Sequence, residues 1–143
     1  MQLGRTIKEI SMGEKATWSK TISESDVYAW VGIMGDFNPV HINVSYAEKT
    51  AFRQRIVPGL LTAGFISACL TMRIPGPGCI YVSQEVKFLA PVYVGDTITA
   101  ELEVLQKDEE KNRLTLRTTC RNQHDVMVID GNAIVSPPIR KTR

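Results

Sequence analysis

Residues 59–72, GLLTAGFISACLTM, hold no charged side chain, and this feature limits most strongly what the chain can fold into. Pro58 stands just before it, a residue suited to the first turn of a helix. The run Ile74-Pro75-Gly76-Pro77-Gly78 ends it. Gly59, Ala63, Gly64, Ser67 and Ala68 keep several sides of this helix thin. Such a helix must be enclosed by other structure that approaches its backbone closely. The full uncharged stretch, 56–72, spans 17 residues and includes Pro58, Gly59, Thr62, Gly64 and Ser67. It therefore predicts a buried helix and not a membrane span.

The enclosing material follows in the sequence. Ile80, Val82, Val86 and Phe88 alternate, with Gln84 in the same register. After a bend over 91–96, Ile98, Ala100, Leu102 and Val104 alternate against Thr97, Thr99, Glu101 and Glu103. A polar connection over 107–112 leads to Leu114, Leu116, Thr118 and Cys120, and a turn over 122–125 leads to a last strand over 126–135. The first half is helical. Residues 1–14 predict an irregular lead-in and 15–21 a short strand containing Trp18. Ser23 then starts a helix as N-cap, with Asp26 completing the cap and Ile22 and Val27 flanking it. Val27, Trp30, Val31 and Met34 fall on one face, and Gly35 stops it. A second short helix is expected from Ser45, where Ser45-Tyr46-Ala47-Glu48 reads as a capping box. Helices first and strands second predict an α+β fold. The simplest packing is a hot-dog architecture, a curved antiparallel sheet wrapped around helix 58–72. No linker or repeat interrupts 1–143, so one domain is expected.

Composition narrows the function. The 143 residues carry 17 Lys and Arg against 15 Asp and Glu, a net charge of +2, which argues against nucleic acid or an acidic membrane as main partner. Arg53, Arg55 and the tail residues Arg140, Lys141 and Arg143 read as solvated surface or as a dock for ligand phosphates. Cys69, Cys79 and Cys120 show neither a disulfide framework nor metal-ligand spacing, so no metal and a reducing, cytoplasmic setting are expected. Arg5, Lys8, Glu9, Glu14 and Lys15 leave no apolar leader at the N-terminus.

The chemistry is expected in Gly35-Asp36-Phe37-Asn38-Pro39-Val40-His41, where an acid and an imidazole stand five residues apart across an Asn-Pro turn. Pro39 restricts its own φ and pushes Asn38 toward an extended conformation. Asn38 is suited to bonding nearby backbone. Taken singly, Asp36 also fits a turn former and His41 a satisfied half-buried ring. Taken together, they form a pair able to move protons.

This run resembles the signature of the MaoC-like (R)-specific enoyl-CoA hydratases, with Ala47 six residues beyond His41. Gly59-Leu60-Leu61-Thr62-Ala63 and the segment from Lys87-Phe88-Leu89-Ala90-Pro91 to Val92-Tyr93-Val94-Gly95-Asp96 support it, and the likeness runs over about 13–134. Many members carry His immediately before the glycine matching Gly59, whereas this chain has Pro58. The resemblance implies a single hot-dog domain that hydrates 2-enoyl-CoA or dehydrates 3-hydroxyacyl-CoA, with no cofactor beyond the substrate's own coenzyme A. It implies that Asp36 and His41 hold one water, Asp36 as principal base, and that Gly59 donates to the thioester oxyanion. Asn38 and Pro39 would orient the loop, and Ser67 would lie near the substrate, unless its hydroxyl back-bonds one turn earlier in its helix. Gln84 likewise needs a partner, catalytic or structural. The resemblance further implies a homodimer or an assembly of dimers, with the CoA in a groove between subunits where Arg53, Arg55 and Arg73 are candidates for its phosphates. Two other functions fit the fold: a hot-dog acyl-CoA thioesterase and a non-catalytic acyl-CoA or partner-binding module.

Overall fold

Ser23 opens the first helix, α1 (Glu24–Met34), with a reciprocal cap: its hydroxyl accepts the Asp26 N–H at 3.1 Å, and the Asp26 carboxylate accepts the Ser23 N–H at 2.9 Å. A hydrogen bond from Lys20, and then that from the Ser23 N–H, hold the Asp26 carboxyl below its ordinary range. Ile22 and Val27 are buried beside the cap, and Gly35 ends the helix in the left-handed region at φ 70°. Met34, expected on the buried face, is instead exposed. α1 lies on the surface and buries only Val27 and Val31 fully, with Trp30 partly covered. The computed structural model describes residues 3–140, so Lys141 and Arg143 of the basic tail lie outside the described residues.

The next segment corrects the expected loop and single helix. Two short helices form, α2 (Pro39–Ile42) and α3 (Val44–Ala47), capped by Asn38 and Asn43. The Asn43 side chain accepts the Tyr46 N–H at 2.9 Å. It therefore takes the capping role two residues ahead of Ser45, consistent with the high rank of Asn at such positions. The uncharged segment forms α4 (Gly59–Met72) with Pro58 as its N-cap residue.

Five strands complete the fold: β1 (Lys15–Thr21), β2 (Ile80–Phe88), β3 (Thr97–Asp108), β4 (Arg113–Arg121) and β5 (Met127–Ser136). They form one sheet in the order β1-β3-β4-β5-β2, with every neighbouring pair antiparallel. Ile98, Ala100, Leu102 and Val104 of β3 are buried as the alternation predicts, as are Leu114, Leu116, Thr118 and Cys120 of β4. The sheet packs on α4 through β1, β2, β3 and β4. α4 meets it with Leu61, Thr62, Ile66, Cys69 and Leu70, while Leu60 and Gly64 stay open on the other side.

Two further expectations need correction. The lead-in is not wholly irregular: Ile7–Glu9 makes a 3-10 turn, and Ile7 and Ile10 enter the core. Along β2 the simple alternation fails, because a bulge between Tyr81 and Ser83 shifts the register against β5. Tyr81, and not Val82, then meets Gln84, donating its phenol hydrogen to the side-chain oxygen. Ile80, Val82 and Phe88 are all exposed on this edge strand.

Candidate active site

Gly35, Asp36 and Asn38 build the corner between α1 and α2. An Asp36 carboxylate oxygen accepts the Asn38 N–H, and the Asn38 side-chain oxygen accepts the Val40 N–H, each at 3.3 Å. Two successive side-chain-to-backbone turns, with Pro39 between them opening α2, stiffen this corner. His41 follows on α2 and is buried. Its Nδ1 lies 2.8 Å from the Ile56 carbonyl oxygen. A carbonyl only accepts, so Nδ1 carries a proton there and Nε2 is the ring nitrogen left for another partner. The Ile56 N–H in turn donates to the Val40 carbonyl at 3.2 Å, and Val57 donates to Val92 at 2.7 Å. These bonds tie α2 to the strand-like segment that leads into α4. Asp36 and His41 thus sit on one braced corner, and among the described residues they form no direct ion pair or hydrogen bond.

The segment from Ile56 continues into the α4 N-terminus, where the Pro58 carbonyl accepts the N–H groups of Leu61 at 3.1 Å and Thr62 at 3.3 Å. The N–H groups of Gly59 and Leu60 are donors at the positive end of the helix dipole, a setting that favours developing negative charge. Gly59 and Thr62 line a cavity of about 490 Å³, walled by Phe52, Leu60, Phe88, Leu89, Val128 and Ile129 among others. Gly59 also has a packing role, since a Cβ there would come within 2.7 Å of the Phe88 ring. Phe52 and Leu60 line this cavity, whereas Met34 and Phe37 do not. Thr62 was not singled out from the sequence. Its hydroxyl is buried and among the described residues has no hydrogen-bond partner, a state that costs about 1–3 kcal/mol.

The remaining candidates divide. Ser67 is half-buried on α4 and does not line the cavity, and among the described residues its hydroxyl makes no bond to the preceding turn. Gln84 has structural partners: it donates to the Thr118 hydroxyl at 2.8 Å and to the Glu85 carbonyl at 2.7 Å. Arg55 pairs with Glu24 at 2.6 Å and donates to the Tyr28 hydroxyl at 3.0 Å. Arg73 stacks on Trp18, with 5.5 Å to the ring centre, and donates to the Thr17 carbonyl. Two of the three suggested phosphate contacts are therefore engaged within the chain, and Arg53 remains. The thiols are poor nucleophiles. Burial pushes Cys69 up to about 11, Cys120 up to about 12, and Cys79 upward as well. No helix among the described residues is long and apolar enough to cross a membrane.

A sequence profile of the MaoC like domain matches residues 7–126. The chain belongs to the MaoC-like family. It is 50% identical to the (R)-specific enoyl-CoA hydratase of Rhodospirillum rubrum, over 93% of this chain and 92% of that one. It is 42% identical to the 3-hydroxybutyryl-CoA dehydratase of Methylorubrum extorquens, over 92% of this chain and 83% of that one. The solved structure of the R-hydratase PhaJ1 from Pseudomonas aeruginosa superposes with a TM-score of 0.90 at 36% identity, covering 98% of this chain and 93% of that one. The helix wrapped by an antiparallel sheet is accordingly the hot-dog fold of MaoC-like proteins.

Proposed function

We infer that this MaoC-like chain adds water reversibly across the 2,3 double bond of a trans-2-enoyl-CoA, yielding the (R)-3-hydroxyacyl-CoA. The observation that carries the reaction is the end-to-end likeness to the Rhodospirillum rubrum hydratase. In this reading the residues of the corner and of the α4 N-terminus divide the labour. Asp36 takes a proton from a water whose other hydrogen is held by His41 Nε2, the ring nitrogen left free by the bond to Ile56. The water oxygen bonds to C3, the double-bond electrons move toward the thioester oxygen, and the Gly59 N–H stabilises the resulting enolate. The proton on Asp36 then passes to C2, restoring the carboxylate. Asn38 and Pro39 hold the two groups in register. Water and the thioester supply every atom, so the reaction uses no cofactor besides the coenzyme A of the substrate.

The test is the loss of conjugated enoyl-thioester absorbance with crotonyl-CoA, run beside a thiol reagent. Absorbance should fall without release of free thiol. Thiol release would move the assignment to a thioesterase, and no change with folded protein would leave only a binding role.

The surface and the thiols support a reading of the assembly and setting. β2 is an edge strand that presents unpaired backbone groups together with exposed Ile80 and Val82. Edges of this kind invite pairing with another strand, so the chain is proposed to form a homodimer through β2. Light scattering should give twice the chain mass, and Ile80→Lys with Val82→Lys should give the monomer. A wild-type monomer would discard this interface. The three free cysteines fit a reducing cytoplasm.

A further inference from the structure

We propose that Thr62 is a second hydrogen-bond donor to the thioester oxygen, acting beside the Gly59 N–H. This inference rests on the hydratase assignment above. A threonine inside a helix ordinarily satisfies its hydroxyl on the carbonyl four residues earlier. Here that carbonyl belongs to Pro58, which already accepts two N–H groups, and the Thr62 hydroxyl leaves it unused. Thr62 is 1% exposed, and among the described residues its oxygen has no protein partner. Buried polar groups of native proteins are nearly always paired, and an orphan needs an explanation.

Position supplies one. Thr62 stands one helical turn after Gly59, and both border the same apolar cavity. A helix side chain leans back toward the N-terminus, so the Thr62 hydroxyl is carried toward the turn that begins at Gly59. The other cavity walls are mainly hydrocarbon: Phe52, Leu60, Phe88, Leu89. An oxygen that enters to meet the free Gly59 N–H therefore finds Thr62 as the next donor. The Phe88 ring, which rests over Gly59 and is exposed, is what the thioester displaces on entering. A hydrogen bond from such a donor strengthens as negative charge develops on the carbonyl oxygen, which is the condition for lowering a barrier.

The experiment compares Thr62→Val with Thr62→Ser in crotonyl-CoA hydration, with thermal unfolding alongside. Val keeps the shape and removes the hydroxyl, whereas Ser keeps the hydroxyl and removes a methyl group. Thr62→Val should lower kcat about 10- to 100-fold with little change in KM, because the bond strengthens only in the transition state. Its melting temperature should equal or exceed that of the unsubstituted protein, since an orphaned hydroxyl has been removed. Thr62→Ser should keep most of the turnover while melting lower. Unchanged kcat in Thr62→Val would overturn the proposal, as would equal loss in both variants, which would mark a packing role. An inactive unsubstituted protein would remove the hydratase assignment itself, and this inference with it.

Discussion

Asp36→Asn is expected to lower crotonyl-CoA hydration by about 10²- to 10⁴-fold, the usual worth of a positioned general base. The corner that holds residue 36 should survive the change. The bond made by the Asp36 side chain within the chain is accepted from the Asn38 N–H, and an amide oxygen can accept it equally well. What disappears is the capacity to take a proton from water and return it to C2. Melting temperature should stay close to that of the unsubstituted protein, and butyryl-CoA, which has no double bond to hydrate, should still bind. A variant that retains turnover within about tenfold would remove Asp36 from the role of base.

Gly131→Ala is expected to produce the largest loss of stability. Gly131 lies in β5 opposite Val86 of β2, and a Cβ added there would fall 1.9 Å from the Glu85 carbonyl oxygen. The obstacle is backbone, so no side-chain rotation relieves it, and β2 must move off β5. The cost should be about 3 kcal/mol or more, beyond ordinary overpacking. For a chain of this size that lowers the melting temperature by about 10 °C or more. Activity should fall as well, because β2 carries Phe88, which packs over Gly59 and walls the cavity. A Gly131→Ala protein melting within about 2 °C of the unsubstituted one would show that the two strands can separate at little cost.

The contrast between these two positions shows how far the sequence could be read. The corner around Asp36 was legible because the Asp-Asn-Pro-His run is local: its turns and caps form between residues two to four apart. The same holds for the Ser23 cap, the Gly35 stop and the start of α4. Gly131 was not legible as a critical site, since its importance comes from Glu85, which meets it only through the pairing of β5 with β2. The Asn43 cap was within reach and was missed because Ser45 also begins an acceptable capping pattern.

The sequence by itself determined the class of fold, the central uncharged helix, the alternating strands of β3 and β4, and the stiff corner that carries Asp36 and His41. These follow from periodicity and from short-range bonding, which act along a single stretch of chain. Only the tertiary structure decided the strand order, the bulge that gives Tyr81 to Gln84, and the burial of Ile7 and Ile10. It also decided which His41 nitrogen is free, through the Ile56 carbonyl, and left the Thr62 hydroxyl unpaired beside Gly59. Each of these depends on which distant segments come together and how closely, and that is settled by packing around α4, whose contacts no local pattern in the chain specifies.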